Sequence, residues 1–170
     1  LKDYVKNDGI KRLAKSGVVL ENLFCTNAIC VPSRASILTG QYSHVNGVYN
    51  LPDALDPDSL NVAKVLKNNG YQTSIVGKWH LKKEPIGFDY YKVLPGQGLY
   101  NDPYFKTKEN WEDGSRGGEK EKGFSADIIG DSSIEWLKKI DNKKPFFLMT
   151  HFKATHEPFD YPERNKDLNK

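Results

Sequence analysis

Cysteine is scarce in this sequence, which contains only Cys25 and Cys30 among 170 residues. A scaffold in which several disulfide bridges replace a hydrophobic core is excluded by that number. A single bridge between two cysteines so close in sequence would also be an unusual way to stabilise a domain of this length. We therefore expect free thiols, or a cysteine that is chemically modified.

Long apolar runs and an excess of one charge are also lacking. No segment approaches the run of about 20 apolar residues that a membrane-spanning helix needs, and the N-terminal residues lack the apolar core of a signal peptide. The 25 lysines and arginines are nearly balanced by 22 aspartates and glutamates, so the net charge is only +3. We expect no membrane span and no nucleic-acid partner.

Helical and extended patterns alternate along the chain, which predicts an α/β fold with a mostly parallel sheet flanked by helices. Gly17 and Gly70 are typical helix ends, and Ser125 is a suitable N-cap for a later helix. The apolar run at 146–149 is typical of a central parallel strand covered on both faces. The predicted helices cover 3–17, with Tyr4, Val5, Ile10, Leu13 and Ala14 near one face, then 33–39, 56–70 and 125–140; the predicted extended segments are 18–24, 71–76 and 146–149.

Residues 82–124 are rich in glycine, proline, tyrosine and asparagine, and we expect a long surface excursion with one short strand. Loops of this length are usually functional or mobile. Aromatic side chains on such loops are suited to binding sugars. The candidates here are Tyr90, Tyr91, Tyr100, Tyr104 and Trp111.

Residues capable of chemistry follow two of the predicted strands. The segment "GKWHLKK" follows strand 71–76 and "THFKATHEP" follows strand 146–149, and ligands of open α/β sheets bind beyond the carboxyl ends of the strands. Helix 33–39 is expected to begin just after Cys30, so that its N–H groups and the positive end of its dipole face residue 30. The pattern predicts an anion site formed by Cys30, Arg34, Lys78 and His80, with His156 as a further candidate.

Each of these residues also has an ordinary structural interpretation. A lone cysteine before a helix is more often a small buried hydrophobic residue than a reactive group. Lysine and histidine at a strand exit are often a snorkelling cation and a hydrogen-bonded ring. The structural interpretation is the better one for His44 and His151, whereas for His156 the two are about equal.

Taken together, three segments resemble the type I sulfatases, which have an alkaline-phosphatase-like fold. The segment "CVPSRASILTG" (30–40) is similar to the family's Cys-x-Pro-Ser-Arg signature with its following Leu-Thr-Gly, and "GKWHL" is similar to its second motif. The segment "KPFFLMTHFKATHEPF" resembles the strand and histidine loop found further along, although Thr155 stands where the family usually has proline. The resemblance covers nearly the whole chain and is strongest to bacterial sulfatases of glycans.

The resemblance implies that a formylglycine-generating, or sulfatase-maturating, enzyme oxidises Cys30 to an aldehyde. One hydroxyl of the hydrated aldehyde would attack the sulfur of a sulfate ester, giving a covalent intermediate, and the other would later lose its proton and release sulfate. By motif, Arg34 would hold the diol and Lys78 the sulfate oxygens. His80 would take the diol proton, and His156 would contact sulfate and protonate the leaving oxygen.

The resemblance also implies a calcium ion bound to residue 30 and to two clusters of acidic and amide side chains. Neither cluster occurs in this sequence, and calcium requires about six to eight oxygen ligands. We therefore expect residues 1–170 to be a partial catalytic domain that lacks the first strand and the C-terminal part and is inactive alone. The complete enzyme would be periplasmic or secreted, and its substrate a sulfated carbohydrate rather than an aryl or lipid sulfate.

Other functions remain open at this point. A phosphatase or phosphodiesterase of the same superfamily is one, although such relatives normally have serine or threonine in place of Cys30. A cysteine-dependent phosphatase would need Cys-x5-Arg, and here only three residues separate Cys30 from Arg34. A zinc module using Cys25 and Cys30 lacks a second compact ligand pair. A non-catalytic fragment is the remaining alternative.

Overall fold

The computed structural model describes residues 7–167, in which four helices are followed by four strands, a fifth helix and a fifth strand. The helices are α1 (Asp8–Ser16), α2 (Cys30–Thr39), α3 (Ser43–Asn46), α4 (Val62–Asn68) and α5 (Ser125–Lys139), with a 3₁₀ turn at Glu163–Asn165. The strands are β1 (Gln72–Lys78), β2 (Tyr90–Leu94), β3 (Tyr104–Phe105), β4 (Glu119–Lys120) and β5 (Phe146–His151). Of the apolar face predicted for the first helix, Tyr4 and Val5 lie outside the described residues.

Strand β1 lies between β2 and β5 in a three-stranded sheet, and both pairings are parallel. Gly77 is opposite Val93 on one side and His151 on the other. Strands β3 and β4 form a separate two-stranded antiparallel ribbon. The predicted α/β fold with a mostly parallel sheet is confirmed, and the carboxyl ends of all three parallel strands meet at one edge.

The two faces of β1 pack against different helices because successive side chains of a strand point to opposite faces. Ile75 lies in a cluster with Val31 and Ala35 of α2 and Ala63 of α4. The next residue, Val76, lies in a second cluster to which α5 contributes. The α5 side chains in that cluster are Ile128 and Ile129. Helices therefore cover both faces of the central strand, as a parallel sheet requires.

Two predictions for extended segments are wrong within residues 7–167. Strand β5 is not central, since β1 is its only partner among the described residues, and its first residue Phe146 is 49% exposed. Residues 18–24 form a turn and irregular backbone rather than a strand. Their apolar side chains, such as Phe24 at 85% exposure, have no packing partner in the described part of the chain that would support a strand.

The starts of two helices also differ from prediction. Helix α2 begins at Cys30 itself, three residues before the predicted start, and Ile29 is its N-cap. The N-cap of α5 is Phe124 and not Ser125, which is the first helical residue. The backbone N–H of Ser125 donates to the Tyr100 carbonyl at 2.7 Å. That hydrogen bond fixes the backbone at the start of α5, where no side chain caps the helix.

Residues 82–124 contain β2, β3 and β4 where one short strand was predicted. The side chains of Tyr91, Leu94 and Phe105 in this segment are almost completely buried. Lys106 is also buried, and its ammonium donates to the carbonyls of Glu112 and Gly114. A large part of the segment therefore belongs to the packed domain. Within residues 7–167 we find no helix with both the length and the apolarity needed to cross a bilayer.

Gly77 allows the close approach of β1 to β5. Its φ is +104°, and a Cβ at this position would lie 2.0 Å from the His151 carbonyl oxygen. Gly77→Ala is expected to lower the free energy of unfolding by about 2–4 kcal/mol, because strain and overlap combine. The matched control is Gly130→Ala in α5, where a Cβ meets nothing within 4 Å and alanine should stabilise by about 0.5–1 kcal/mol. Urea unfolding measures both, and equal effects would contradict the steric role of Gly77.

Candidate active site

A cavity of about 560 Å³ opens where the carboxyl ends of β1 and β5 meet the start of α2. Its walls combine one side of α2 with residues at and just beyond the ends of the two strands. The polar lining residues are Cys30, Ser33, Arg34, Thr150 and His151. Apolar walls come from Ile37, Leu38 and Trp79, among others. The predicted position of the site, beyond the carboxyl ends of the sheet, agrees with this location.

Cys30 and Lys78 face each other at this edge of the sheet. Cys30 is the first residue of α2 and is half-buried and unbridged, whereas Lys78 is the last residue of β1 and only 2% exposed. The Lys78 ammonium lies 3.8 Å from the Cys30 sulfur and donates to the Gln97 side-chain oxygen at 2.6 Å. Burial lowers the pKa of Lys78, and the neighbouring Cys30 partly opposes that shift.

Arg34 lies one turn into α2 and is held against the sheet edge. Its Nη1 donates to the Lys78 carbonyl at 2.6 Å and lies 3.1 Å from Nδ1 of His151. Nδ1 of His151 also lies 3.2 Å from the Lys78 carbonyl, so this nitrogen lies between a donor and an acceptor. Burial, followed by the charge of Arg34, lowers the pKa of His151 to about 4, which keeps the ring neutral. Burial also lowers the pKa of Arg34.

His80 lies just beyond the end of β1, with a positive φ of 59° and an exposure of 8%. Its Nδ1 is buried and has no hydrogen-bond partner among residues 7–167. Burial, and then the charges of Lys78 and Arg34, lower the pKa of His80 to about 4. A neutral ring with an unused nitrogen is therefore held beside two cations.

His156 lies on the loop after β5 and is half-buried. Its carbonyl accepts from the Tyr100 hydroxyl, and its Nδ1 lies 2.9 Å from the Glu157 carbonyl, so Nδ1 is the protonated nitrogen that donates. His156 is close enough to His80 to contribute to the lowered pKa of the His80 ring. The structure therefore places Lys78 in contact with Cys30 and Arg34, both of which line the cavity, and His80 and His156 lie nearby.

Three further residues at the site were not predicted as functional. His151 contacts Arg34, as described above. Gln97 contacts two lysines, since its side chain accepts from Lys78 and its carbonyl accepts from Lys153 at 3.3 Å. Lys153 is 5% exposed and lies 4.8 Å over the Tyr100 ring. The position of Lys153 in "THFKATHEP", just after a predicted strand, could have indicated a place at the site. Nothing in the sequence around Gln97 indicated its contacts with the two lysines.

The aromatic side chains proposed for sugar binding differ greatly in accessibility. Tyr91 and Tyr100 are 1% and 4% exposed and belong to the packed interior. Trp111 packs edge-on against Tyr91, and Tyr90 packs against the second apolar cluster. Tyr104 is 41% exposed. Of the five candidates, it is the aromatic ring that solvent reaches most freely.

The described residues do not form a calcium site by themselves. Within residues 7–167, no group of three or more histidine, cysteine, aspartate or glutamate side chains lies close enough to hold a metal ion. The charged groups nearest Cys30 within residues 7–167 are the cations Lys78, Arg34 and Lys153, so a metal ion at residue 30 would need carboxylates from outside these residues. What this arrangement can bind is an anion.

Stability should depend on pH through His80 and His151. Both have a pKa near 4 in the folded chain, whereas free histidine titrates near 6.5. Between these values the unfolded chain binds more protons, so the free energy of unfolding should fall as pH decreases from about 6.5 to about 4. His151→Asn should make this decline shallower in urea unfolding, while the exposed His44→Gln control should leave it unchanged. Equal slopes in all three proteins would contradict the assignment.

Comparison with known proteins gives a family match and several close relatives. The family model described as "Sulfatase" matches residues 3–168. An N-acetylglucosamine-6-O-sulfatase of Bacteroides thetaiotaomicron is 42% identical over 155 residues, covering 89% of this chain and 26% of that protein. An ulvan-active sulfatase of Formosa agariphila is 30% identical over 175 residues, covering 96% of this chain and 34% of that protein. The chain thus spans about a quarter to a third of the length of these relatives.

Solved structures agree with this match. The structure of BT4656 in complex with its substrate D-glucosamine-2-N,6-O-disulfate superposes with a TM-score of 0.88 at 37% identity, covering 96% of this chain and 32% of that one. The crystal structure of Ps i-CgsB, at 24% identity, has a TM-score of 0.81 over 94% of this chain and 42% of that one, which shows a shared fold. The family model covers nearly every residue and the fold is shared, so this chain belongs to the sulfatase family.

Proposed function

We propose that this chain is the nucleophile-bearing part of an enzyme that hydrolyses sulfate esters on a sulfated carbohydrate. The observation that carries the proposal is the Cys30 sulfur 3.8 Å from the Lys78 ammonium, at a cavity that Arg34 also lines. A side chain able to become a nucleophile is thus placed beside cations that can hold the sulfate. Membership of the sulfatase family supports the same reaction.

We propose further that Cys30 acts as formylglycine, produced by a sulfatase-maturating enzyme. Cys30 is unbridged and partly accessible, and it begins the Cys-Val-Pro-Ser-Arg segment that resembles the family's processing signal. Cys25 differs, since its thiol donates to the Asn27 carbonyl at 3.1 Å and no such segment follows it. An aldehyde at residue 30 would be hydrated, and the hydrate has two hydroxyls where serine has one.

In the proposed reaction, one hydroxyl of residue 30 loses its proton to solvent and forms a bond to sulfur while the bond from sulfur to the sugar oxygen breaks. The sugar oxygen takes a proton, and His156 is the proposed donor. The second hydroxyl then loses its proton, for which His80 is the proposed acceptor, and sulfate leaves as the aldehyde is restored. Lys78 neutralises charge on the sulfate oxygens, and Arg34 orients the diol.

The low pKa of His80 is consistent with this role once an anion is bound. Part of the shift comes from the charges of Lys78 and Arg34. A sulfate group beside these cations offsets their potential at the ring, which raises the pKa of His80 toward its ordinary value. Before substrate binds, the His80 ring is neutral. When substrate is present, the higher pKa makes His80 a stronger base.

The substrate class is proposed from the relatives. The protein at 42% identity is an N-acetylglucosamine-6-O-sulfatase, and BT4656 was solved with a doubly sulfated glucosamine. A sulfated sugar is accordingly the proposed substrate here. Calcium is proposed for the complete enzyme, with residue 30 as one ligand and the remaining ligands outside the described residues. A periplasmic or secreted location is proposed for the same enzyme.

The modification can be tested by mass spectrometry of the tryptic peptide from Ser16 to Arg34. After co-production with a formylglycine-generating enzyme, the peptide should show the mass change of a thiol converted to an aldehyde or its hydrate. Fragmentation should locate the change at Cys30, with Cys25 in the same peptide as an unmodified internal control. A plain thiol at residue 30 under these conditions would contradict the proposal.

The role of Lys78 can be tested in the complete, matured enzyme. Lys78→Ala should lower kcat/KM on a sugar sulfate by about 10²–10³, because a preorganised cation that stabilises the developing charge is lost. Lys138→Ala is the control, since Lys138 is an exposed cation in the last turn of α5 that does not line the cavity. The assignment is wrong if the two variants retain similar activity while unfolding at the same temperature as the parent.

A further inference from the structure

A second cavity, of about 410 Å³, lies between the loops 95–99 and 115–118. Gln97 lines this cavity, and its side-chain oxygen accepts from the Lys78 ammonium at 2.6 Å. The ammonium in turn lies 3.8 Å from the Cys30 sulfur. Two consecutive contacts therefore connect this second cavity to the proposed reaction centre. A ligand that extends from residue 30 past Gln97 would enter it.

Three glycines, Gly98, Gly117 and Gly118, line the second cavity. Gly96 and Gly98 have φ values of +54° and +69°, and Gly117 and Gly118 both have +89°. A Cβ on Gly96 would lie 3.1 Å from the Ser115 side chain, so the two loops face each other closely. Glycine at these positions permits the backbone turns and also leaves peptide groups accessible to a ligand. Peptide groups and hydroxyls of this kind suit the hydroxyls of a sugar.

Arg116 and Tyr104 provide the side chains that define the ligand. Arg116 is exposed and lines this cavity, and no hydrogen bond or ion pair joins it to another of residues 7–167. Tyr104 presents a ring that is 41% exposed. An aromatic ring gives a surface for the apolar face of a pyranose, and a free guanidinium binds a sulfate or carboxylate with two parallel hydrogen bonds.

We infer that the second cavity is a subsite for the sugar unit next to the sulfated one, and that Arg116 binds a carboxylate or sulfate on that unit. The inference rests on the proposed function, because it places the scissile sulfate at residue 30. The volume lies within the range of about 300–1,000 Å³ typical of small-ligand pockets and is sufficient for one pyranose. The enzyme is therefore selective for anionic glycan chains over isolated sulfated monosaccharides.

Binding measurements on a Cys30→Ala form of the complete protein test the subsite without requiring turnover. The probes are glucosamine 6-sulfate and a disaccharide in which a uronic acid is linked to glucosamine 6-sulfate. The disaccharide should bind about tenfold more tightly, as one charge-assisted bidentate contact gives. Arg116→Ala should remove most of that gain and leave monosaccharide binding unchanged.

Lys122→Ala is the matched control, because it removes an exposed cation from the same segment without touching the second cavity. It should leave the affinities for both probes unchanged. Equal losses in the Arg116 and Lys122 variants, or a disaccharide that binds no better than the monosaccharide, would overturn the subsite. Absence of catalytic activity in the parent, with Arg116-dependent binding retained, would instead refute the proposed hydrolysis alone.

Discussion

The arrangement of the site depends on a buried ammonium group at the end of the central strand. Lys78 is 2% exposed, and its recorded partners are the Gln97 amide oxygen and the Cys30 sulfur. Within residues 7–167 no carboxylate forms an ion pair with Lys78, or with Arg34 beside it. Burying a cation without an opposite charge is unfavourable. The two buried cations therefore lower the stability of the fold, and a bound anion would offset that cost.

This cation can be held in place because three chain segments converge on the end of β1. Parallel pairing aligns Gly77 with His151, and the absence of a side chain at Gly77 lets the two backbones approach. Arg34 then fastens α2 to the same point through the Lys78 carbonyl at 2.6 Å. Since Cys30 is in the first turn of α2, that single contact helps to fix the distance between the thiol and the ammonium. The contacts that pack the sheet edge are thus also the contacts that position the proposed reaction centre.

The parts of this arrangement that could be predicted from the sequence are those that reside in one short segment. The Cys-Val-Pro-Ser-Arg and Gly-Lys-Trp-His segments carry Cys30, Arg34 and Lys78 at fixed spacing, and each follows or begins a regular element. Gln97 could not be predicted, because its contacts with Lys78 and Lys153 join residues 19 and 56 positions apart. The exposure of β5 was missed for a related reason. An apolar run at 146–149 shows what a strand can bury, whereas its position in the sheet depends on neighbours that periodicity does not reveal.

Residues 82–124 illustrate why composition alone misjudged the accessibility of aromatic side chains. A segment rich in glycine and tyrosine is typical of a surface loop, yet Tyr91 lies in the core and bonds to Glu84 at 2.7 Å. The Tyr100 ring packs under Lys153 and its hydroxyl binds the His156 carbonyl. Through Tyr100, this segment therefore supports the loop after β5. Through Gln97, it borders the second cavity, next to Lys78. Because one segment does both, a ligand that moves its glycine-rich loops would also shift the groups that hold Lys78 and His156. Binding of the proposed glycan would then be coupled to the geometry around residue 30.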